Sequence, residues 1–378
     1  MSTTRLLVDL DRLENNYSLL RGVHAQNSIM TVVKANAYGH GLLPVSRFLQ
    51  SLGQELFGVA RIEEALALRQ GGIQGRIMVL GPPAPDSMGL YAPHGIEMTI
   101  PSVPHLRQLL TTLPESCPAI HLKLDTGMGR VGFPEADKEL LPELLAQAPW
   151  LRIAGIGSHL AESERLDSDY SHLQLERFTA WLDILSQVPA ARTAQRHLAN
   201  SAALLRGEEF HFDFARVGYA LWAPVDFTPP EKAPRANASL RPVTTLTAPV
   251  SFIKKARRGD SVGYARTYSC REGEMVATVP VGYGDGYLRS NSNRAQAALD
   301  GRRFPVVGNV SMDQTTISLG DQQASLGQEA ILFGGEGSGP SLREVADWMG
   351  TIGYEVLTGI SARVSRVYLR DGREIAPP

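Results

Sequence analysis

The chain contains few cysteines and lysines, and its net charge is small. These low values exclude several classes of protein. The two cysteines, Cys117 and Cys270, lie far apart among 378 residues and match no metal-binding spacing, which is typical of a reducing compartment. A net charge of -2 provides no basic footprint for nucleic acid or for a membrane surface. No apolar run approaches membrane-spanning length, and Asp9, Asp11 and Glu14 are unlike a signal peptide. We therefore expect a cytoplasmic protein without a metal site.

The first part of the chain alternates short apolar strands with amphipathic helices. A helix is predicted at 11–20, and others at 62–70, 103–111, 135–146 and 173–186. After an initial strand at 5–10, the sequence predicts eight strands at 29–34, 56–60, 76–80, 97–100, 119–125, 153–159, 194–198 and 212–217. Eight such units are the number of a TIM-like (β/α)8 barrel, which we assign to residues 1–235. A doubly wound sheet is the alternative, because periodicity alone does not separate the two.

A second domain, mostly β, is predicted at residues 236–378. The change of pattern is marked by prolines at 224, 229, 230, 234 and 242. After them come short strands without regular helices between them, predicted at 243–253, 275–281, 304–307, 310–319, 329–333 and 364–369. A single helix is expected at about 341–349. The fold class is therefore α/β, with an amino-terminal barrel and a carboxyl-terminal β domain.

Lys34 ends the first predicted barrel strand, in the run TVVKANAYGHG, and it is one of only six lysines. Burial lowers the pKa of an ammonium, and a neutral amine forms a Schiff base with a carbonyl compound. A lysine that simply reaches solvent is the alternative interpretation. Lys123 also lies in an apolar strand run, which suggests that it is paired or modified to reverse its charge.

Barrel enzymes carry their functional groups at the carboxyl ends of the strands, and a phosphate site often follows strands seven and eight. Strand six ends in His159. The loops after strands seven and eight supply a hydroxyl at a helix start and a glycine with exposed N–H groups, which suits an anion. The residues are His197, Asn200 and Ser201 after strand seven, and Arg216, Gly218 and Tyr219 at strand eight. A Schiff-base lysine beside a phosphate cradle is what pyridoxal 5'-phosphate (PLP) requires.

Arg216 bears on the type of PLP chemistry. An arginine at the pyridine nitrogen would leave that nitrogen unprotonated, because a guanidinium does not usefully release its proton. The carbanion would then be less delocalised, and side reactions would be suppressed. A surface salt-bridge residue is the alternative interpretation of Arg216.

A competing signal is the spacing Gly127-x-Gly129-x-x-Gly132, which fits the dinucleotide-binding fingerprint. The fingerprint also requires an acidic residue at the end of the next strand, and that strand ends in Ser158 and His159. The match opens on the fifth strand of the run and not on the first. We interpret it as a chance match, and an NAD-dependent oxidoreductase as a weaker alternative.

Seven motifs resemble those of one known family, the alanine racemases, in their order and spacing. They extend over nearly the whole chain and read VVKANAYGHG, LDTGMGRVGF, HLANSAALL, ARVGYALW, SVGYARTY, VPVGYGDGY and NVSMDQ. The family consists of PLP-dependent barrel enzymes. Membership implies interconversion of L-alanine and D-alanine and a supply of D-alanine for peptidoglycan.

The resemblance implies a two-base mechanism. Lys34 carries the cofactor and is the base for D-alanine, and Tyr264, from the partner subunit, is the base for L-alanine. Tyrosine is ordinarily a weak base, with a pKa of about 10, so the resemblance assigns help from His159 and Arg216. Because Tyr264 lies in the second domain, we expect a head-to-tail homodimer with two shared sites.

Further roles follow from the same resemblance. Arg130 contacts the substrate and the phenolic oxygen of the cofactor, and Lys123 is carbamylated in many members. The phosphate shell is Tyr38, Ser201, Gly218, Tyr219 and Tyr354. Met312 and Asp313 lie at the substrate carboxylate, and Tyr283 at the entrance.

The chain departs from the common family pattern at Asn309, Ser311 and Leu288, where arginine, cysteine and proline are frequent. These positions lie at the entrance or interface and leave the two bases intact, so they concern the range of substrates, such as serine. Two further alternatives remain. A PLP-barrel decarboxylase would place an acid at the ring nitrogen and a reactive cysteine in the β domain, and a non-enzymatic PLP carrier would lack the β domain.

Overall fold

A computed structural model of the chain describes residues 4–378 except 25, 27, 114–116, 336 and 338. Its contacts divide the chain into two compact units. The barrel unit comprises Glu14–Ala37 and Leu42–Arg241, together with Pro378. The strand unit comprises Pro242–Pro377, Tyr38–Gly41 and the residues before Glu14. The predicted domain ranges, 1–235 and 236–378, remain a prediction about folding units, whereas these units are defined by contacts.

The barrel unit is built on one sheet of eight parallel strands, in the order β8-β7-β6-β5-β4-β3-β2-β9. The strands are β2 (Ile29–Val32), β3 (Leu56–Val59), β4 (Arg76–Val79), β5 (Ile96–Ile100), β6 (Ile120–Lys123), β7 (Ile153–Gly157), β8 (Gln195–His197) and β9 (Ala215–Val217). Consecutive strands are neighbours, and the last pairs with the first, since Ile29 aligns with Ala215. A doubly wound sheet reverses its strand order part-way, so that alternative is wrong.

Backbone hydrogen bonds at the seam between β8 and β9 bring the sheet close to a full ring. Arg216 N donates to Ala199 O at 2.9 Å, and Asp213 N donates to Arg196 O at 3.0 Å. The predicted (β/α)8 barrel is therefore confirmed as a nearly closed barrel. Three of its strands end two residues earlier than predicted, at Val32, Lys123 and Gly157, which places Lys34 and His159 in the loops above the sheet.

Helices follow most of the barrel strands and bury their apolar faces. In the longest of them, Phe178, Trp181 and Leu185 recur at helical spacing and are fully buried. The α-helices of the chain are α1 (Leu10–Val23), α2 (Leu42–Ser51), α3 (Ile62–Gln70), α4 (Val103–Thr112), α5 (Leu140–Ala146), α6 (Tyr170–Leu185), α7 (Ser201–Arg206), α8 (Arg235–Ser239), α9 (Leu342–Met349) and α10 (Gly353–Gly359).

The strand unit contains a seven-stranded sheet, a three-stranded sheet and a two-stranded hairpin. Strand β1 (Arg5–Asp9) belongs to the seven-stranded sheet, between β10 (Thr244–Pro249) and β19 (Ser365–Arg370). The rest of that sheet is β15 (Gln296–Leu299), β16 (Arg302–Pro305), β18 (Glu329–Phe333) and β20 (Arg373–Ile375). The three-stranded sheet is β11 (Phe252–Lys255), β14 (Met275–Val279) and β17 (Thr315–Gly320). The hairpin is β12 (Ser261–Val262) and β13 (Tyr268–Ser269).

One predicted strand is wrong in a way that matters for the sheets. Residues 243–253 form two strands, because the chain leaves the seven-stranded sheet at Pro249 and enters the three-stranded sheet at Phe252. Proline lacks the N–H that a ladder needs, so it marks the end of β10. The sequence patterns also did not predict β12, β13, β15, β20 or helix α10. Among the described residues, no helix is long and apolar enough to cross a membrane.

Candidate active site

Four basic side chains gather at the carboxyl ends of the barrel strands. Lys34 follows β2, Lys123 ends β6, Arg130 lies in the next loop, and Arg216 lies in β9. Burial lowers the pKa of Lys34, and the charge of Arg130 lowers it further, whereas Glu64 opposes both. Burial, Arg216 and Arg130 hold the pKa of Lys123 well below its usual range. A cluster of like charges of this kind fits a ligand that brings several negative charges.

A left-handed turn follows Lys34 directly. Ala35, Asn36, Ala37 and Tyr38 all have positive φ angles between 52° and 57°. L-residues rarely adopt this conformation in succession, because Cβ approaches the following carbonyl oxygen. The turn is held from outside, since Ala35 N donates to Glu64 Oε1 at 2.6 Å. A strained segment that other contacts stabilise is typical of a functional site.

Glu64 joins this turn to helix α3. Its other carboxylate oxygen accepts hydrogen bonds from Ala60 N at 2.8 Å and from Arg61 N at 3.2 Å. The carboxylate therefore caps the start of the helix and the turn after Lys34 at once. This residue was missed from the sequence, where it looks like an ordinary first-turn acid.

Arg216 is the centre of a buried hydrogen-bond network and is only 7% exposed. Its Nη1 donates to His197 Nδ1 at 2.7 Å and to His197 O at 2.9 Å. Its Nη2 donates to Ser158 O at 2.6 Å, to Leu198 O at 3.2 Å and to His159 Nδ1 at 3.3 Å. Burial lowers the pKa of Arg216 to about 10, so it remains a cation at neutral pH. In the described part of the chain, no carboxylate forms an ion pair with it.

His159 is held neutral by its surroundings. Burial, followed by the charges of Lys123, Arg216 and Arg130, keeps the pKa of His159 well below its usual range. Because Arg216 only donates, Nδ1 of His159 is an acceptor and its proton resides on Nε2. The ring thus offers one N–H for another group.

Ser201 lies at the first residue of helix α7, and its hydroxyl oxygen accepts two hydrogen bonds. Gly218 N donates to it at 3.0 Å, and Ala220 N donates at 3.2 Å. The hydroxyl proton then remains to be donated, and no described residue accepts it. Asn200 is the helix cap, because its side-chain oxygen accepts from Ala203 N at 3.0 Å. Tyr219 is buried beside this turn.

The glycine spacing after β6 is occupied by a local turn. Asp125 Oδ1 accepts from Gly127 N at 2.9 Å and from Gly129 N at 3.1 Å. In a dinucleotide-binding loop, these N–H groups point towards the pyrophosphate. Their use by Asp125 favours the interpretation as a chance match.

In the strand unit, the predicted site residues form separate groups. The rings of Tyr38 and Tyr354 lie 6.3 Å apart, and burial raises the pKa of Tyr38. Tyr283 N donates to Ser311 O, and Gly284 N donates to Met312 O, so these two loops are joined. The side chains of Tyr283 and Met312 are 40% and 52% exposed. Asp313 accepts a hydrogen bond from Arg363 at 2.6 Å.

Tyr264 stands at the tip of the β12–β13 hairpin and is 73% exposed. The hairpin is anchored by Val262 and Tyr268, which belong to a small apolar cluster with Ala256, Cys270, Val276 and Val307. Asn309 Nδ2 donates to Tyr264 O at 2.8 Å, so this departure from the common family pattern supports the backbone of the tip. The side chain of Tyr264 projects from a fixed base.

Comparison with known proteins places the chain in context. Residues 8–224 match the family model for the alanine racemase N-terminal domain, and residues 243–368 match that for the C-terminal domain. The alanine racemase of Carboxydothermus hydrogenoformans is 35% identical over 370 residues, which is 96% of this chain and 98% of that protein. The crystal structure of alanine racemase from D-cycloserine-producing Streptomyces lavendulae covers 98% of both chains, with a TM-score of 0.91 at 33% identity.

A further structural relative carries a cofactor. It is the alanine racemase of Bartonella henselae, whose crystal structure has covalently bound pyridoxal phosphate. That structure covers 98% of this chain and 100% of its own, with a TM-score of 0.88 at 29% sequence identity.

Proposed function

Since this chain belongs to the alanine racemase family of isomerases, we propose that it interconverts L-alanine and D-alanine with PLP as its cofactor. The observation that carries the proposal is the position of Lys34, an amine with a lowered pKa in a cluster of cations at the barrel mouth. The fold alone would not support this activity, because barrels host many reactions.

The described residues fit the groups that PLP presents. The hydroxyl proton of Ser201 is available to a phosphate oxygen, because that hydroxyl already accepts two N–H bonds. The same end of the barrel also contains four neighbouring residues of the proposed cofactor site: His197, Asn200, Gly218 and Tyr219. The family resemblance assigns Tyr38 and Tyr354 to the same phosphate shell.

Arg216 fits the ring nitrogen of PLP. The Nη atoms of Arg216 are already committed to carbonyl oxygens and histidines, and its Nε–H has no partner among the described residues. That N–H suits a neutral acceptor such as an unprotonated pyridine nitrogen. A PLP decarboxylase would need an acid there, and no observation favours one.

We assign the two proposed bases to opposite sides of the alanine Cα. When bound, PLP supplies a conjugated ring that stabilises negative charge at this carbon. Lys34 Nζ takes the Cα proton of D-alanine and returns a proton to give D-alanine, and Oη of Tyr264 of the partner subunit does the same for L-alanine. The Nε2–H of His159 donates to that phenolic oxygen and stabilises its anion.

The remaining cations suit the substrate and a modification. Arg130 attracts the carboxylate of alanine, and the loop with Met312 and Asp313 of the partner subunit lies beside it, with Tyr283 at the entrance. The lowered pKa of Lys123 favours its neutral amine, and only a neutral amine adds carbon dioxide. The amine gains CO2 and loses one proton, which gives a carbamate that offsets Arg130.

We propose a homodimer because Tyr264 cannot serve as a base without a site that contains Lys34. The exposure of Tyr264 leaves it available to a partner subunit, and the exposed Tyr283 and Met312 lie on two loops joined by backbone hydrogen bonds. The product D-alanine would supply peptidoglycan synthesis in the cytoplasm. Serine, a similarly small amino acid, remains a second candidate substrate.

The test follows the exchange of the Cα hydrogen in deuterium oxide, together with the chirality of alanine. We expect exchange with racemisation, abolished in Lys34→Ala and reduced by about 10²- to 10⁴-fold in Tyr264→Phe. Loss of carbon dioxide would indicate a decarboxylase instead. Bound PLP without exchange on either enantiomer would contradict the proposal for alanine.

A further inference from the structure

A chain of side-chain hydrogen bonds crosses the interior of the barrel behind Arg216. At its far end, Arg76 Nε and Nη2 donate to Glu97 at 2.7 and 3.1 Å. Glu97 Oε2 lies 2.8 Å from His121 Nε2, and His121 Nδ1 lies 3.1 Å from His197 Nε2. His197 Nδ1 then accepts from Arg216 Nη1 at 2.7 Å. We call these five residues the interior relay.

The chemistry of the two ends fixes the position of every proton between them. A guanidinium only donates, so His197 Nδ1 is an acceptor and its proton is on Nε2. That proton is donated to His121 Nδ1, which leaves the proton of His121 on Nε2. An ionised carboxylate only accepts, and Glu97 receives this last proton at 2.8 Å. The donor at one end and the acceptor at the other therefore require the same direction of hydrogen bonding along the relay. Each histidine then carries one ring proton, so both are neutral.

The surroundings favour this single arrangement. Burial and Arg216 keep the pKa of His197 well below its usual range, with smaller contributions from His121, Lys123 and Arg76. Burial lowers the pKa of His121 despite the opposing effect of Glu97, and Arg76 and Arg216 lower it further. A second proton on either ring would set two donors against each other and break a bond of the relay.

The barrel wall is shaped around the two rings. A Cβ on Gly155 would lie 2.3 Å from His121 Nδ1, and one on Gly157 would lie 2.0 Å from His197 Cε1. Strand β7 therefore gives up two inward side chains to make room for the imidazoles of β6 and β8. Phe214 stacks on His197 at 4.7 Å between ring centroids. Each ring is also bonded at both nitrogens, so turning it over would break both bonds.

We propose that Glu97 and His121 are positioning residues, which act through His197 to hold Arg216 and, through it, the Nε2–H form of His159. No contact of Glu97 or His121 with the site cations is needed, because each link of the relay dictates the next. The effect on the two bases rests on the function proposed above, whereas the proton positions do not. The relay does not conduct protons, since a transfer along it would require Arg216 to release one.

The first test observes the proton positions directly in the PLP-loaded protein labelled with 15N-histidine. We expect nitrogen NMR signals of two neutral rings with the proton on Nε2, unchanged between about pH 6 and 9. The two rings are assigned by the signals lost in His121→Gln and in His197→Gln. An imidazolium, or a proton on Nδ1 of either ring in the wild-type protein, would overturn the relay, whether or not the protein racemises alanine.

The second test asks whether the relay matters to the bases. In Glu97→Leu, His121 loses its acceptor, and in Glu97→Gln an amide that can also donate replaces an obligate acceptor. In deuterium oxide, D-alanine can exchange its Cα hydrogen and still remain D-alanine. We expect the ratio of this exchange to racemisation to be about tenfold higher in Glu97→Leu than in the wild-type protein. The reason is that the Lys34 side still works while the Tyr264 side is impaired. Glu97→Gln should lie between this variant and the wild type and remains informative if Glu97→Leu does not fold.

His211→Gln is the matched control, because this buried histidine bonds Leu204 O and lies outside the relay. It should lower stability without changing the exchange ratio or the signals of His197. An unchanged ratio in folded Glu97→Leu and Glu97→Gln would contradict the positioning role. If the wild-type protein showed no exchange at all, the proposed function would fail, and the nitrogen signals would still decide the proton positions.

Discussion

The barrel unit and the strand unit hold their candidate site residues in opposite ways. In the barrel, Arg216 is 7% exposed and its Nη atoms contact five acceptors. In the strand unit, Tyr264 is 73% exposed, and its described polar contact is made by its backbone to Asn309. One unit therefore fixes charges in place before any ligand binds, and the other presents side chains on a firm backbone. The second arrangement is consistent with the proposal that Tyr264 completes a site in the partner subunit.

The proposed sharing of sites between two subunits gives the largest expected effect. Lys34→Ala and Tyr264→Phe should each be nearly inactive alone. In a heterodimer of the two, one site would combine the intact Lys34 with the intact Tyr264, and the other site would lack both. Random pairing of equal amounts should then restore about a quarter of the wild-type activity per site, measured after refolding the two together.

No recovery upon mixing, with heterodimers detected by a tag on one chain, would place both bases in the same subunit. Mixing Lys34→Ala with Lys34→Arg is the control, because no pairing of these chains contains an intact Lys34. It should remain inactive at every ratio.

The two units should also differ in how strongly a substitution changes the free energy of unfolding, because their side chains are packed differently. This effect is smaller than the loss of activity but measurable. Gly157→Ala would force a Cβ to 2.0 Å from His197 Cε1 in the barrel, so we expect a loss of about 1–3 kcal/mol in the free energy of unfolding. Leu326→Gln in the strand unit should change it by less than about 0.5 kcal/mol, since that side chain is 69% exposed. Urea denaturation of both variants compares the two values.

Gly22→Ala is the matched control for that comparison. A Cβ there meets nothing within 4 Å in helix α1, so the same substitution should raise stability by about 0.5–1 kcal/mol. Equal effects of the two alanine substitutions would contradict the packing argument.

The sequence predicted those site residues whose location depends only on where they stand in a single strand or helix. The position of Lys34 and Arg216 at one edge of a barrel could be predicted, because alternating strands and helices place strand ends together. The left-handed turn at 35–38 could not be predicted, because it has no glycine and is held by Glu64 from another helix. The same is true of the interior relay, whose bonds depend on neighbouring strands. Its only signals were two polar residues, Glu97 and His121, within apolar strands.

The carboxylates of the two units should also respond differently to acid. Burial alone would raise the pKa of Glu97, but hydrogen bonds from His121 and Arg76 outweigh it and hold the pKa at about 2. A carboxyl with a depressed pKa stabilises the folded state above its unfolded value of 4.5 and loses that effect as the pH falls towards 2. The shift corresponds to about 3 kcal/mol at pH 6, of which about two fifths should remain at pH 3. The difference in unfolding free energy between wild type and Glu97→Gln should therefore shrink as the pH falls.

Glu329→Gln is the control, because it removes an exposed ion pair with Arg5 in the strand unit. Its unfolding free energy should differ from that of the wild type by less than about 1 kcal/mol at every pH, and a steeper pH response would contradict the comparison.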